Sequence, residues 1–208
     1  MRLYAYWRSS SAWRVRIVLH HKGLPFAITS VHLREGDQHA PEHTARNAMA
    51  QIPVLELDDG TCLAQSVAIL EYLEETHPEP AMLPADPIAR ARVRQAVEII
   101  NSGIQPLQNL AVLIAIDGLG GDRVAWSRDA IARGFVGLEA LASQTSGRFL
   151  VGDQLTLADA LLIPQLYNAR RFKVDLAPFP TLLRVEANCT GLPAFQAAHP
   201  DAQPDAGS

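Results

Sequence analysis

The sequence predicts a small α/β domain followed by an all-helical domain, and three observations carry that prediction. Strand-like and helix-like apolar periods alternate from Leu3 to Glu75; prolines then cluster at positions 78, 80, 84 and 87 with almost no periodicity; and every periodic stretch beyond them is helical. A length of 208 residues suits one large domain or two small ones, and 48% hydrophobic content is ample for their cores. The expected boundaries are 1–79 for the α/β domain, 80–87 for the linker and 88–208 for the helical domain.

The first element is a short apolar strand from Leu3 to Tyr6, which runs into Arg8-Ser9-Ser10-Ser11-Ala12-Trp13-Arg14-Val15-Arg16. Three hydroxyls sit where the period changes, and Val15, Ile17, Val18 and Leu19 then form an apolar helical face. Serine at such a point accepts hydrogen bonds from first-turn amides, so capping explains one of the three. Three in succession beside Arg8 and Arg14 also form a positive, polar pocket suited to an anion at a helix N-terminus. Both readings stand at this point.

Lys22-Gly23 stops the helix with a cation and a residue that tolerates the left-handed cap conformation. Phe26 to His32 alternates like a strand, and the polar stretch from Arg34 to Ala50 holds at most one irregular helix. Gln51 to Leu57 is a strand signal with Pro53 near its start; Asp58-Asp59-Gly60 is hairpin chemistry, and Thr61 to Leu63 is the antiparallel return. Gln65-Ser66 leads into the helical spacing of Val67 to Leu73, giving the order βαβ then ββα. Past the linker, helices are expected from about Ile88 to Ile116, Arg123 to Ser143, from Thr156, and near Pro180 to Asn188 and Pro193 to Ala198. Thr156 and Asp159 have capping-box spacing.

Several function classes are excluded as expectations. A net charge of −4 offers no basic stripe for nucleic acid, and the apolar runs are too short to span a bilayer. The two cysteines, Cys62 and Cys189, lie far apart, so neither a disulfide framework nor a zinc site is indicated, and the seven histidines share no ligand spacing. A cytoplasmic protein without a metal is the expectation.

Polar groups remain at three element ends: Ser9 to Ser11, Gln51 to Val54, and Gln65-Ser66. In a small open sheet such ends gather along one edge. A cis peptide bond at Pro53 would turn the Ile52 backbone outward to pair with an extended peptide-like ligand, while an ordinary edge proline is the plain alternative. Ser66, likewise, is either a cap or part of an anion site.

That combination resembles the thioredoxin-like domain of the cytosolic glutathione transferases. More narrowly, Tyr6 through Arg16 looks like the zeta-class signature, in which Ser-Ser-Cys is followed two residues later by Arg-Val-Arg. Gln65 to Glu75, Gly103 to Leu110 and Asn168 to Leu176 extend the resemblance nearly end to end. It implies a thioredoxin-like N-terminal domain, a homodimer, glutathione as cofactor along Gln51-Ile52-Pro53, and its γ-glutamyl carboxylate at Gln65-Ser66. The implied activity is that of the maleylacetoacetate isomerases of tyrosine breakdown, with the maleylpyruvate isomerases of gentisate breakdown close by. A general transferase or α-haloacid dehalogenase is the competing enzyme class, and a non-catalytic docking module the competing non-enzyme.

Under this resemblance Ser9 donates a hydrogen bond to the glutathione sulfur, with Ser10 and Ser11 adding further donors. The thiolate adds to the cis double bond of a diacid, the single bond rotates, and elimination returns the trans product. Arg171 matches the family's substrate-side arginine, with Arg8 a second candidate and Gln105, Gln108 and Asn109 possible cleft residues. Helix C-capping by Arg171, a solvated Arg8 and polar packing around a kink at Pro106 are the competing structural roles. Two departures from the family pattern are Ser11 in place of its cysteine and Ala48 in place of its common proline.

Overall fold

The computed structural model describes residues 1–207, which divide into two compact units: Met1–Ala81 together with the chain from Gly191 onward, and Met82–Thr190. The first unit is built on a four-stranded sheet ordered β2-β1-β3-β4, with β1 at Arg2–Ala5, β2 at Ala27–Ser30, β3 at Val54–Glu56 and β4 at Cys62–Ala64. Strands β1 and β2 are parallel, because the helix α1 (Ser10–His21) supplies a crossover between them. Strands β3 and β4 are antiparallel through the expected hairpin. Gly60 takes φ 86° there, Leu57 and Thr61 close the turn at 2.9 Å, and Asp59 Oδ1 accepts from the Thr61 amide at 2.9 Å.

Alternation along the strands decides the two faces. Leu3 pairs with Leu55 while Tyr4 pairs with Val54, so successive residues point to opposite sides. Tyr4 and Val54 pack with Val31 on one face; α1 and α3 (Ser66–Thr76) pack against each other, burying Val15, Leu19, Ile69, Leu70 and Leu73. The Arg34 to Ala50 stretch forms a 3-10 turn at Asp37–His39 and the helix α2 (Pro41–Arg46).

Helix α1 ends as expected. Gly23 takes φ 64°, its amide donates to His20 and that of Leu24 donates to Leu19, a Schellman arrangement. Lys22 does more than complement the dipole. Its buried ammonium pairs with Glu74 at 2.8 Å and donates to the carbonyls of His77 at 2.7 Å and Pro80 at 3.0 Å, which ties the helix to the start of the proline-rich segment.

The second unit contains α4 (Pro87–Glu98), α5 (Leu110–Gly118), α6 (Arg123–Thr145), α7 (Leu157–Arg171) and α8 (Pro180–Thr190). The single helix expected from 88 to 116 is broken. A π-helical turn at Ile99–Ile104 and a 3-10 turn at Gln105–Gln108 intervene, since Pro106 cannot donate into an α-helical ladder. Gly134 of α6 lets Ile104 approach; a Cβ there would lie 2.2 Å from Ile104 Cγ1. Helix α7 is buried along most of its length, and Asp159 accepts from the Thr156 amide at 2.8 Å, the Thr156 hydroxyl at 2.9 Å and the Leu150 amide at 2.8 Å. Burial pushes the Asp159 carboxyl up to about 6, against the pull of those donors.

The expected assignment of all of 88–208 to one helical domain differs from the observed units. Helix α9 (Pro193–Ala198) and the turn after it pack on α1, because the buried Arg16 guanidinium donates to the Ala198 carbonyl at 3.2 Å and Trp13 meets His199 edge-on at 5.3 Å. Among the described residues, no single helix is long and apolar enough to cross a membrane, and no group of His, Cys, Asp or Glu could hold a metal ion.

Candidate active site

Ser9 is the N-cap of α1. Its backbone is extended, its hydroxyl oxygen accepts from the Ala12 amide at 3.3 Å, and its own amide donates to the Tyr6 carbonyl at 3.0 Å. The cap uses an oxygen lone pair, so the hydroxyl proton is not consumed by it. Ser10 is buried and Ser11 half-buried in the first turn. Arg8 stacks its guanidinium 5.1 Å from the Trp7 ring centroid.

The Ile52-Pro53 peptide bond is cis. The segment before it is held firmly: the Gln51 carbonyl accepts from Asn47 Nδ2 at 2.8 Å and bonds His43 Nε2 at 3.0 Å. Gln65 Nε2 donates to Gln51 Oε1 at 3.2 Å, which brings the second and third polar ends together.

At the N-terminus of α3, where Ser66 reads either as a cap or as part of an anion site, Ser66 is not the N-cap. Gln65 occupies the N-cap position with φ 70° and supplies no side-chain hydrogen bond to the first turn. Ser66 is the first helical residue, and its buried hydroxyl accepts from Arg14 Nη1 at 3.1 Å. The result is a helix N-terminus to which the N-cap residue lends no side-chain acceptor, beside a fully buried arginine. A carboxylate is the ligand that such a donor set and charge fit.

Arg14 and Arg16 are the residues that sequence reasoning undervalued. Arg14 reads as a charge flanking the serines and Arg16 only as part of the Arg-Val-Arg signature, yet both are buried: Arg14 reaches Ser66, and Arg16 Nη2 donates to the Trp7 carbonyl at 2.8 Å. Burial lowers the Arg16 pKa to about 10, with Asp205 opposing that shift. The signal was present, since two arginines interrupting a wholly apolar helical run are buried charges in need of partners.

The remaining candidates lie in the second unit. Asn109 caps α5, its Oδ1 accepting from the Ala111 amide at 3.2 Å. Gln108 is a correction: it is buried and its Nε2 donates to Gln165 Oε1 at 2.6 Å, so it joins the 3-10 turn to α7 instead of lining a cleft. Arg171 ends α7, exposed, with its guanidinium 5.1 Å from the Phe172 ring centroid. Its neighbour Arg170 is committed to a two-pronged pair with Glu186 at 2.5 and 2.6 Å.

A four-stranded mixed sheet with a hydroxyl-capped helix after its first strand, a cis-proline before its third and an uncapped helix after its fourth defines a thioredoxin-like domain. Residues 1–75 match the family model of the glutathione S-transferase N-terminal domain, and residues 128–193 that of the C-terminal domain. The chain belongs to the glutathione S-transferase family. It is 48% identical to probable maleylacetoacetate isomerase 2 of Drosophila melanogaster, over 98% of this chain and 89% of that one. Maleylacetoacetate isomerase from Anaeromyxobacter dehalogenans 2CP-1, solved with GSH bound in the active site, is 55% identical with a TM-score of 0.90, covering 99% of this chain and 97% of that one. The same enzyme was also solved with bound dicarboxyethyl glutathione and citrate, at 54% identity and a TM-score of 0.90, covering 100% and 97%. A maleylpyruvate isomerase described as a bacterial zeta-class transferase matches at 41% identity and a TM-score of 0.95, covering 99% and 100%. Within the family the chain is of the zeta class.

Proposed function

We propose that this chain is a glutathione-dependent cis-trans isomerase that converts maleylacetoacetate to fumarylacetoacetate, acting as a cytoplasmic homodimer. The observation that carries the reading is the Ser9 hydroxyl, whose oxygen caps α1 while its proton stays free for a negative atom at the same helix N-terminus. When bound, glutathione supplies the nucleophilic sulfur that makes the double bond temporarily single. The residues present fit it: Ile52-Pro53 for its peptide backbone, with Gln51 positioned beside Gln65, and the uncapped start of α3 with Ser66 for its γ-glutamyl carboxylate.

Ser9 then has a quantitative task. A free thiol titrates near 8.5, and lowering that by one unit takes about 1.4 kcal/mol of preference for the charged form. A helix N-terminus contributes about 0.3–1 kcal/mol and a hydrogen bond to a charged atom about 1.5–3 kcal/mol, so the hydroxyl outweighs the dipole. Ser10 and Ser11 support it with first-turn donors. Arg171 and Arg8 act as carboxylate clamps for the diacid, with Asn109 as a polar neighbour on the substrate side.

The test runs maleylacetoacetate and maleylpyruvate side by side with and without glutathione. Glutathione-dependent formation of the fumaryl isomer, faster from maleylacetoacetate, is expected. Faster turnover of maleylpyruvate reassigns the substrate; failure with both, or faster glutathione consumption with α-haloacids, removes the isomerase reading. Light scattering should return twice the 22.7 kDa chain mass.

A further inference from the structure

Arg14, the first arginine of Arg-Val-Arg, stands beside the α3 N-terminus, while the second, Arg16, has no part in the proposed chemistry and converges with the C-terminal segment on the turn that presents Ser9. The two peptide groups flanking the Trp7 Cα are held from opposite sides: the Trp7 amide donates to Asp205 Oδ2 at 3.0 Å, and the Trp7 carbonyl accepts from Arg16 Nη2 at 2.8 Å. Arg16 is 1% exposed, and its Nε is anchored on the Ala198 carbonyl at 3.2 Å. The segment that brings Asp205 to this place is itself closed, Gln203 donating to the carbonyls of Ala197 at 3.0 Å and His199 at 2.8 Å.

We propose that Arg16 and Asp205 are positioning residues that clamp the Trp7 backbone and thereby aim the Ser9 hydroxyl at the cofactor's sulfur. The turn lies past the end of β1, where no strand ladder fixes it, and Ser9 follows Trp7 by two residues. Beside the local bond from the Ser9 amide to the Tyr6 carbonyl at 3.0 Å, a buried guanidinium and a carboxylate from a remote part of the chain add a long-range constraint. Capping α1 alone would need neither of them, because Ser9 already serves the Ala12 amide. The titratable groups facing Arg16 are the Asp205 carboxylate from the C-terminal segment and, one turn along α1, His20, whose pKa is lowered by burial and by Arg16 itself. A donor displaced by a fraction of an ångström loses much of its preference for the charged sulfur, so the clamp is read out in the thiol's titration.

The inference rests on the role proposed for Ser9, and the experiment separates the two. Asp205 is half-buried at the surface, so Asp205→Ala leaves the core intact, and Asp205→Asn keeps an oxygen acceptor for the Trp7 amide. The ultraviolet thiolate absorbance of bound glutathione is titrated against pH for the wild type and both variants, with kcat and KM for the diacid measured alongside. The expected result for Asp205→Ala is a bound thiol raised by about one pKa unit, and a kcat about tenfold lower below that pKa. KM for the diacid stays at its wild-type value, the melting temperature falls by only several degrees, and Asp205→Asn restores most of the titration. A wild-type thiol titration in Asp205→Ala overturns the proposal. If the wild type binds glutathione but isomerises neither diacid, the isomerase reading fails while the titration still decides the clamp. If the wild-type bound thiol titrates like free glutathione, Ser9 donation and the clamp fail together.

Discussion

Replacing Ser9 separates two jobs that one hydroxyl performs. Ser9→Ala removes the acceptor for the Ala12 amide, a long bond at 3.3 Å, so the stability loss belongs at the low end of the capping range, about 0.5–1 kcal/mol. It also removes the donor to the sulfur, about 1.5–3 kcal/mol, which at about 1.4 kcal/mol per pKa unit raises the thiol by roughly one to two units. At a pH below that pKa, turnover should fall by about 10- to 100-fold. Ser9→Asp caps as well as serine but has no proton to give, and Ser9→Thr keeps both functions. Urea midpoints and glutathione-dependent isomerisation rates measured on all three variants give the answer. The reasoning predicts that Ser9→Asp retains stability and loses turnover, while Ser9→Thr retains both. A Ser9→Asp enzyme with near wild-type turnover would refute it and move the donor to Ser10 or Ser11.

Three further outcomes follow from other parts of the molecule. The folded Asp159 carboxyl titrates near 6 instead of 3.8, so the protonated form is favoured by folding; its contribution is fully present below about 3.8 and is lost as pH rises through about 6, up to about 3 kcal/mol. Asp159→Asn lacks that dependence, and the stability gap between wild type and variant should widen in the wild type's favour between neutral pH and about pH 4. A constant gap in urea titrations would contradict it. Gly134→Ala places a methyl 2.2 Å from Ile104 Cγ1 and should cost about 1–3 kcal/mol by chemical denaturation. Arg171→Ala, at an exposed site, should raise the apparent KM for the diacid a few-fold, matching about 1 kcal/mol for a solvent-screened pair, and leave thiol titration unchanged.

The local chemistry that was readable in the residues was short-range. The Asp58-Asp59-Gly60 hairpin, the Gly23 stop, Pro193–Ala198 and the Thr156-Asp159 pair each depend on neighbours within a few positions, and each stands where its residues indicate. What escaped was long-range. Ser66 reads either as a cap or as part of an anion site, and neither reading foresees that its hydroxyl accepts from Arg14, 52 positions away. Gln108 looked like a cleft residue until Gln165 drew it inside. The helix through Ile99–Ile104 looked continuous because a π turn keeps the apolar residues Ile100 and Ile104 buried as an α-helix would. For the candidate site, the three polar ends were legible one by one, and the bond between Gln51 and Gln65 that joins two of them was not.

The first unit is assembled from both ends of the chain, and this sets a schedule for its synthesis. Arg16 and Trp7 emerge early, while Ala198 and Asp205 follow only after the intervening residues from Met82 to Thr190. That interval is 190 − 81 = 109 residues, and at about 5–20 residues per second it amounts to roughly 5–20 s of translation. During that time α1 carries a guanidinium meant for the interior and an aromatic face awaiting His199. The nascent α/β unit is therefore incomplete until Asp205 has been translated, and the second unit, which is contiguous, has every residue it needs first.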